Sequence, residues 1–263
     1  IGVASRLGIA LRQRWRMDEA VEVQRAALDA AQRLEDPVQV SRCEYALANA
    51  LRSVGDYAAS EGLLDSTLAY RMQSSGASSS EVLRVEGSRA LLLVYRGEPK
   101  AALALLDDAL ARSEAAQGRP RWLQLQSTRA LALVEAGQGE KAEALLASSD
   151  PEMSEAGGAW RVPHLIARAR AAALEGRWED ATRYSREGIT LQATLGSSLS
   201  VPMLDLLTQW SRALEERGQH EASIAVAASA RQLRSQLLTS GDAGLSRSRP
   251  FERASRLLAR LGD

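Results

Sequence analysis

The 263-residue chain contains only one cysteine, two histidines and one phenylalanine. The single cysteine, Cys43, excludes an internal disulfide framework and is compatible with a reducing compartment, so we expect a cytoplasmic protein. Aromatic residues make up 4% of the chain, whereas 45% of it is hydrophobic. The core must therefore be built mainly from Leu, Ala and Val, which suits helices that approach one another closely.

The chain also lacks an excess of either charge. It has 33 basic and 33 acidic residues, so no overall electrostatic field draws it to nucleic acid or to an anionic membrane surface. No apolar run approaches the length of a membrane span, and the first residues do not resemble a signal peptide. Because the sequence begins at Ile1 rather than at Met, we expect it to be a fragment of a larger protein.

The motifs of several common active sites are missing. The sequence contains no phosphate loop of the Walker type, no Gly-x-Ser-x-Gly elbow and no His-Glu-x-x-His pair. Its two histidines, His164 and His220, lie too far apart in sequence to form a local metal pair. An enzyme requires titratable groups that converge, and the sequence indicates none. We therefore expect no catalytic residue, no metal ligand and no cofactor, and we interpret Cys43 as a buried packing residue.

A short motif recurs six times along the chain, at intervals of 39 to 42 residues. Such a fixed period is typical of stacked-repeat proteins. Each copy has the composition of a tight turn between two helices, where glycine accepts a left-handed backbone at little steric cost. The copies are WRMDEA from Trp15, GDYAAS from Gly55, GEPKAA from Gly97, GQGEKA from Gly137, GRWEDA from Gly176 and GQHEAS from Gly218.

The period predicts an all-α, right-handed superhelical solenoid of six helical hairpins, each made of a helix A and a helix B. A small residue five positions after the start of each turn lets helix B lie close to helix A. These small residues are Ala20, Ser60, Ala102, Ala142, Ala181 and Ser223. The predicted repeats cover about 1–35, 36–75, 79–117, 119–150, 158–196 and 199–239, within an array that spans residues 1–240.

Two segments depart from the regular pattern. In the fourth repeat, Asp150-Pro151 and Gly157-Gly158 stand where helix B would continue, so we expect a shortened helix and a loop of about ten residues. For residues 241–263 the sequence predicts a polar connector followed by a helix, which Pro250 can begin. We expect that helix to cap the sixth repeat without contacting a ligand. Its apolar stripe consists of Phe251, Ala254, Leu257, Leu258 and Leu261.

The segments LGIAL followed by DEA, LANALRSVGDYAAS and LEGRWEDA resemble the tetratricopeptide repeat. They share its Leu-Gly or Leu-Ala pair, its Gly-x-aromatic turn and the small residue that follows. The spacing near 40 exceeds the usual period of that repeat and is similar to the longer variety found in kinesin light chains and bacterial signalling proteins. The segments AASARQLRSQL and RPFERASRLLARLGD resemble the C-terminus of large bacterial transcription regulators of the LuxR and antibiotic-regulatory types.

The resemblance implies that the A helices line a concave face on which extended peptides bind. Alignment of the repeats by their turns places several polar side chains on that face. An arginine ladder there could hold carboxylates or an acidic peptide. Alternatively, acids such as Glu86 and Glu135 could neutralise the arginines in internal ion pairs. The candidate residues are Arg89, Arg129 and Arg168 at one equivalent position, Arg170 and Arg212 two places further on, and Tyr45, Asn49 and Arg52 in the second repeat.

Three functions remain open at this point. The first is a non-catalytic scaffold that binds a protein or peptide, as the regulatory or sensory repeat region of a larger bacterial signalling or transcription regulator. The second is a sensor that closes around a small anionic ligand on the same face. The third is a module for oligomerisation. Direct binding of nucleic acid or membrane is not expected from the neutral overall charge.

Overall fold

The computed structural model describes residues 2–13, 17–115, 119–155, 158–194, 201–239 and 249–260. All regular structure in these ranges is α-helical, which confirms the predicted all-α repeat fold. The helices there are α1 (Gly2–Gln13), α2 (Met17–Arg33), α3 (Pro37–Ser53), α4 (Tyr57–Ser75), α5 (Ser80–Arg96), α6 (Pro99–Ala115), α7 (Arg119–Glu135), α8 (Gly139–Glu155), α9 (Gly158–Leu174), α10 (Trp178–Thr194), α11 (Val201–Glu216), α12 (His220–Thr239) and α13 (Arg249–Arg260). The odd-numbered helices α1 to α11 are the A helices, and the even-numbered ones are the B helices.

The predicted turns between helices A and B depend on glycines in the left-handed region. Five of the six predicted turns contain a glycine with φ between 67° and 85°. A residue with a Cβ adopts such angles only with strain. At Gly97 the amide donates to the Val94 carbonyl (3.1 Å) and the next amide, of Glu98, donates to the Leu93 carbonyl (2.9 Å). This is a Schellman arrangement, which satisfies the last carbonyls of α5. The five glycines are Gly55, Gly97, Gly137, Gly176 and Gly218; the first predicted turn, at Trp15, lies outside the described residues.

The beginnings of the helices follow the expected capping chemistry. The Asp36 carboxylate accepts hydrogen bonds from the amides of Val38 (3.0 Å) and Gln39 (3.1 Å). Pro37, which has no amide hydrogen, occupies the first turn of α3, where no intrahelical partner is lost. Two of the otherwise unpaired amides at this helix end are thereby satisfied.

The small residues predicted at the contact between helices A and B are all buried. The four alanines among the six have no exposed surface, and neither has Ser60. Ser60 donates its hydroxyl hydrogen to the Ala48 carbonyl on the facing helix (2.8 Å). Ser223 donates in the same way to the Ser211 carbonyl (3.0 Å). Serine therefore fits the position because its one polar group finds an acceptor on the opposite backbone.

The chain forms two compact units, with the boundary inside α7 after Trp122. Unit 1 contains α1 to α6, and each of its helices packs on the next one in the chain. Unit 2 contains α7 from Leu123 onwards, α8 to α12, and α13. Alanine and leucine dominate the core of both units, as the composition predicts. One core cluster of unit 1 consists of Ala48, Leu64, Val85 and Leu92, and one of unit 2 consists of Leu165, Ala169, Ala172, Ala173, Ala181, Tyr184 and Ala213.

The fourth repeat is more regular than the sequence indicates. Helix α8 runs from Gly139 to Glu155, straight through Asp150 and Pro151, so the prediction of a shortened helix with a loop of about ten residues is wrong. Proline fixes φ near the helical value, so although it removes one hydrogen-bond donor and its ring crowds the carbonyl four residues earlier, it can kink a helix without ending it. Pro163 likewise lies inside a helix, α9. The fourth repeat therefore ends at about residue 155 rather than 150.

The terminal helix α13 forms where the sequence predicts it, but it packs differently from a simple cap. Phe251, Ala254 and Leu258 are buried, as the apolar stripe implies. The helix lies mainly against α11, an A helix, and touches the last B helix, α12, only slightly. Leu261 lies outside the described residues. None of the helices in the described ranges is long and apolar enough to span a membrane.

Replacing Ala181 with leucine should overpack the contact between α9 and α10. Ala181 has no exposed surface in its cluster, so three additional carbon atoms must displace their neighbours. We expect the free energy of unfolding to fall by about 1–3 kcal/mol in urea melts. Ala193→Leu, at an exposed position on the same helix, is the matched control and should change stability little. Equal midpoints for the two variants would contradict this account of the helix contact.

Candidate binding surface

The three residues predicted on the A-helix face of the second repeat form one hydrogen-bonded group on α3. The Asn49 amide donates to the Tyr45 backbone carbonyl (2.7 Å), and Arg52 Nη2 donates to Asn49 Oδ1 (3.0 Å). The Tyr45 hydroxyl is hydrogen-bonded to the Ser88 hydroxyl on α5 (2.9 Å). Since α3 and α5 are successive A helices, this group joins two repeats on one face of unit 1.

Arginine and tyrosine side chains stack on one another across the same face. The guanidinium of Arg52 lies 5.3 Å from the centre of the Tyr95 ring, and those of Arg71 and Arg84 lie 5.0 and 4.7 Å from the Tyr45 ring. A cation over an aromatic face is attracted by the ring quadrupole. Burial lowers the pKa of Arg71, and the nearby charge of Arg84 lowers it further. The face is therefore cationic and partly withdrawn from water.

Arg52 differs from its neighbours because it pairs with no carboxylate among the described residues. Arg71 and Arg84 both form ion pairs with Glu81. Arg52 is only 7% exposed, and its contacts are the Asn49 amide oxygen and the Tyr95 ring. Its Nε has no hydrogen-bond partner. A guanidinium stays charged at any physiological pH, so Arg52 is a nearly buried cation that lacks a counter-ion in the described parts of the chain.

The predicted arginine ladder is engaged with side chains of the array. Arg89 Nε lies 3.1 Å from Asp65 Oδ1, Arg168 is paired with Glu143, and Arg170 is paired with Glu135. Arg212 lies over the Trp178 ring at 5.2 Å, and Arg129 is half-buried on α7. Glu135 thus neutralises an arginine, as the alternative interpretation anticipates. A ligand-binding role for these five arginines stays a prediction.

Glu86 was expected to neutralise an arginine of the ladder, but it pairs elsewhere. Two hydrogen bonds from Arg112 of α6 reach its carboxylate, at 2.6 and 2.7 Å. Burial nevertheless raises the pKa of Glu86, because the charged form loses solvation that Arg112 only partly replaces. The interior of unit 1 therefore holds a carboxylate whose hydrogen bonds come from a B-helix arginine, Arg112, whereas Arg89 acts on it more weakly through its charge.

In unit 2 a second group of charges connects three A helices with α13. Glu135, at the end of α7, accepts hydrogen bonds from Arg170 of α9 and from Arg253 of α13. Arg253 Nη2 also lies 3.7 Å from Asp205 Oδ2 on α11. Asp205 is 4% exposed, and its Oδ1 has no hydrogen-bond partner.

An open groove of about 1080 Å³ lies along α10 and is lined by Trp178, Arg186, Thr190 and Arg217 among others. Several of its charged groups compensate one another. Asp180 holds both Arg177 (2.7 Å) and Arg183 (2.6 Å). The groove is therefore polar but has no charge of a single sign that would select a ligand. Within the described residues, no group of three or more His, Cys, Asp or Glu side chains could hold a metal ion.

Comparison with known proteins agrees with this geometry. A family profile described as tetratricopeptide repeat matches residues 2–37. The structure of a Rap protein complexed with Competence and Sporulation Factor is similar over 97% of this chain and 73% of that one, with a TM-score of 0.67 and 14% identity. The described helices therefore have the fold of a stacked helical-repeat array, and residues 2–37 match the tetratricopeptide repeat.

The chain is also similar to two structures of a kinesin light chain of Podosopora anserina with nearly identical TPR-like repeats. Both are 17% identical to it. The first covers 90% of this chain and 95% of its own length, with a TM-score of 0.47. The second covers 89% and 94%, with a TM-score of 0.48. No curated protein matches the sequence at a significant level.

The sequence analysis did not predict Ser88 and Tyr95, which contact Tyr45 and Arg52 on the A-helix face of unit 1. Ser88 follows its partner Tyr45 by 43 residues, and Tyr95 follows Arg52 by the same number (95 − 52 = 43). Both offsets are one residue longer than the 42 residues between the turns at Gly55 and Gly97, so a search for polar pairs about one period apart would have found them. Of the acids that bind the ladder, Asp65 and Glu143 lie on B helices and Glu135 ends the A helix α7, and none of them carries such a signal.

His164 makes the stability of the repeat array depend on pH. It is 3% exposed on α9, and burial lowers its pKa from 6.5 to about 4, with the charge of Arg161 also lowering it. The unfolded chain therefore binds a proton between pH 6.5 and 4 that the folded chain does not. We expect the free energy of unfolding to decrease over this interval as the pH falls, by up to about 3 kcal/mol.

Urea melts between pH 4 and pH 7 check this expectation. His164→Gln should remove this decrease in the free energy of unfolding, whatever its effect on stability at neutral pH. The plot of stability against pH should therefore be flatter for this variant than for the wild type. Ala193→Gln, at an exposed position on α10, changes no titratable group and should retain the wild-type profile. Parallel profiles for wild type and His164→Gln would show that His164 is already protonated in the folded chain at pH 5.

Proposed function

We propose that the chain is a non-catalytic scaffold that binds a protein or peptide through an acidic group on the α3–α5 face, which consists of Tyr45, Asn49, Arg52, Ser88 and Tyr95. The observation that carries the proposal is Arg52, a nearly buried guanidinium with no carboxylate partner in the described parts of unit 1. A carboxylate from a partner would supply the missing counter-ion.

The energetics favour a ligand at this position over a purely structural role. A buried charge is normally paired, because the loss of hydration is expensive. An amide oxygen and an aromatic ring compensate this loss only in part. An incoming carboxylate meets a guanidinium that Asn49 and Tyr95 already hold in place, so little side-chain freedom is lost on binding. Charge-assisted hydrogen bonds of this kind are among the strongest in proteins.

The surroundings of Arg52 suit an extended peptide. The rings of Tyr45 and Tyr95 are half-buried, and each presents an apolar surface beside a polar group. The hydrogen bond between the Tyr45 and Ser88 hydroxyls connects the two A helices, and the Asn49 side chain lies beside it on α3. Aromatic surface next to hydrogen-bonding groups is typical of surfaces that bind peptides.

The comparisons support the same function by analogy. The similar Rap structure contains a second molecule, Competence and Sporulation Factor, and stacked repeats create extended surfaces that other repeat proteins use for binding. The resemblance of residues 227–237 and 249–263 to the C-termini of large regulators extends the proposal. We place the chain in a bacterial signalling or transcription regulator that acts in the cytoplasm.

Fluorescence anisotropy with labelled 12-residue peptides tests the proposal. Three sets of these peptides have equal length and hydrophobicity and differ only in carrying acidic, neutral or basic charge. The wild type should bind the acidic set more tightly than the other two. Arg52→Gln should weaken binding of the best acidic peptide by about 10- to 100-fold, the effect of one charge-assisted hydrogen bond.

Arg42→Gln is the matched control, because Arg42 is an exposed arginine on the same helix. This variant should weaken binding by less than about threefold, because the charge it removes is exposed to water and screened by salt. No preference for acidic peptides, or equal losses in the two variants, would contradict the proposal. Saturable binding of free glutamate or succinate without any peptide would instead favour the small-anion sensor.

A further inference from the structure

Helix α13 does not continue the stack of repeats. Elsewhere in unit 2 an A helix packs closely on the B helix that precedes it, as α9 does on α8 and α11 does on α10. A helix that began a seventh repeat would therefore lie on α12. Instead, α13 lies mainly on α11 and has only slight contact with α12. It occupies a surface of the A helices, the same helices that carry the candidate binding residues.

The apolar anchorage of α13 is small. Three of its side chains, Phe251, Ala254 and Leu258, are buried. Among the described residues, Arg234 of α12 contacts it twice, through a hydrogen bond from Nε to the Ser255 hydroxyl (2.9 Å) and through its guanidinium over the Phe251 ring (5.9 Å). A helix of 12 residues is marginal by itself in water, so its structure depends on this contact.

A single arginine places α13 along the A helices. Arg253 pairs with Glu135, which precedes it by 118 residues, and approaches Asp205. Glu135 and Asp205 belong to α7 and α11, so the contact extends over A helices of two different repeats. Arg170 of α9 also pairs with Glu135. The pairs on this surface therefore involve two carboxylates, Glu135 and Asp205, and one arginine of the A helices, Arg170.

The fit between α13 and this surface is incomplete. Asp205 is almost fully buried, yet its Oδ1 accepts no hydrogen bond. Its Oδ2 lies 3.7 Å from Arg253 Nη2, which is beyond hydrogen-bond distance. Buried carboxylate oxygens are normally satisfied. A helix with a cation placed directly over Asp205 would therefore complement the surface better than α13 does.

We propose that Glu135, Asp205 and the side of α11 under α13 form a docking face for an amphipathic helix with basic residues in its polar stripe, contributed by a partner protein. Helix α13 is the resident occupant of this docking face and leaves it when the partner helix binds. The charge complementarity between the two carboxylates and Arg253 defines the chemistry of the partner. This site is separate from the α3–α5 face of unit 1, so either proposal can fail without the other.

Amide hydrogen exchange on the full chain tests whether α13 detaches as a unit. Arg253→Glu places a third carboxylate beside Glu135 and Asp205. The α13 amides should then exchange at least about tenfold faster, while the amides of α9 to α11 keep their protection. Arg256→Glu makes the same charge change at an exposed position of the same helix and should leave exchange as in the wild type.

A fluorescein-labelled peptide with the sequence of residues 249–263 then probes the vacated face. It should bind the Arg253→Glu chain at least about tenfold more tightly than the wild type, in which α13 competes at high effective concentration. The same peptide carrying Arg253→Glu should not bind either chain. If Arg253→Glu does not fold, Arg253→Gln, which removes the ion pairs without adding repulsion, serves in both measurements.

Four outcomes would overturn the proposal. Joint loss of protection in α11, α12 and α13 would make α13 an integral part of the last repeat. Unchanged protection of α13, or no binding of the peptide by the variant, would show that the face accepts no exchangeable helix. A dimer in light scattering that forms when α13 is released would assign the face to a second copy of this chain rather than to a partner.

Discussion

Small side chains where helix A meets helix B set the spacing on which the rest of the array depends. Ala102, Ala142 and Ala181 have no exposed surface, so the two backbones lie too close for a larger residue between them. Serine replaces alanine only where its hydroxyl hydrogen reaches a carbonyl on the facing helix, as Ser60 does. A core of this kind leaves little room for aromatic rings, which explains why the chain needs so few of them.

The arrangement of charge follows from this close packing. Because small residues fill the space between helices, long arginine side chains lie along the helix surfaces and bury their stems. Each guanidinium then requires a carboxylate or a ring nearby. Arg168 and Arg170 find carboxylates in Glu143 and Glu135, whereas Arg52 finds the Tyr95 ring and an amide oxygen. Arg168 and Arg170 are therefore compensated within unit 2, as Arg89 is by Asp65 in unit 1, whereas Arg52 meets no carboxylate among the described residues.

The fold was predictable because its causes are local and recur. The glycine turns, the Asp36 cap and the small contact residues each depend on a few neighbouring positions, and the period aligns them. The ion pairs were not predictable in the same way, since the pairing of Arg89 with Asp65 depends on which side chains of a neighbouring helix come within reach. Pro151 misled for a further reason: a proline that removes one hydrogen bond and crowds the preceding turn can kink a helix without ending it.

Helix α13 marks the limit of what an apolar pattern can specify. The stripe that includes Phe251, Ala254 and Leu258 predicts a buried face, but it fits a helix stacked on α12 and a helix laid on α11 equally well. The polar side distinguishes the two, because the carboxylates of Glu135 and Asp205, which Arg253 meets, belong to the A helices α7 and α11. Paired charges contribute more to orientation than to affinity when both partners lose hydration. The same arginine that fixes the place of α13 therefore leaves it weakly held, which is the property an exchangeable helix requires.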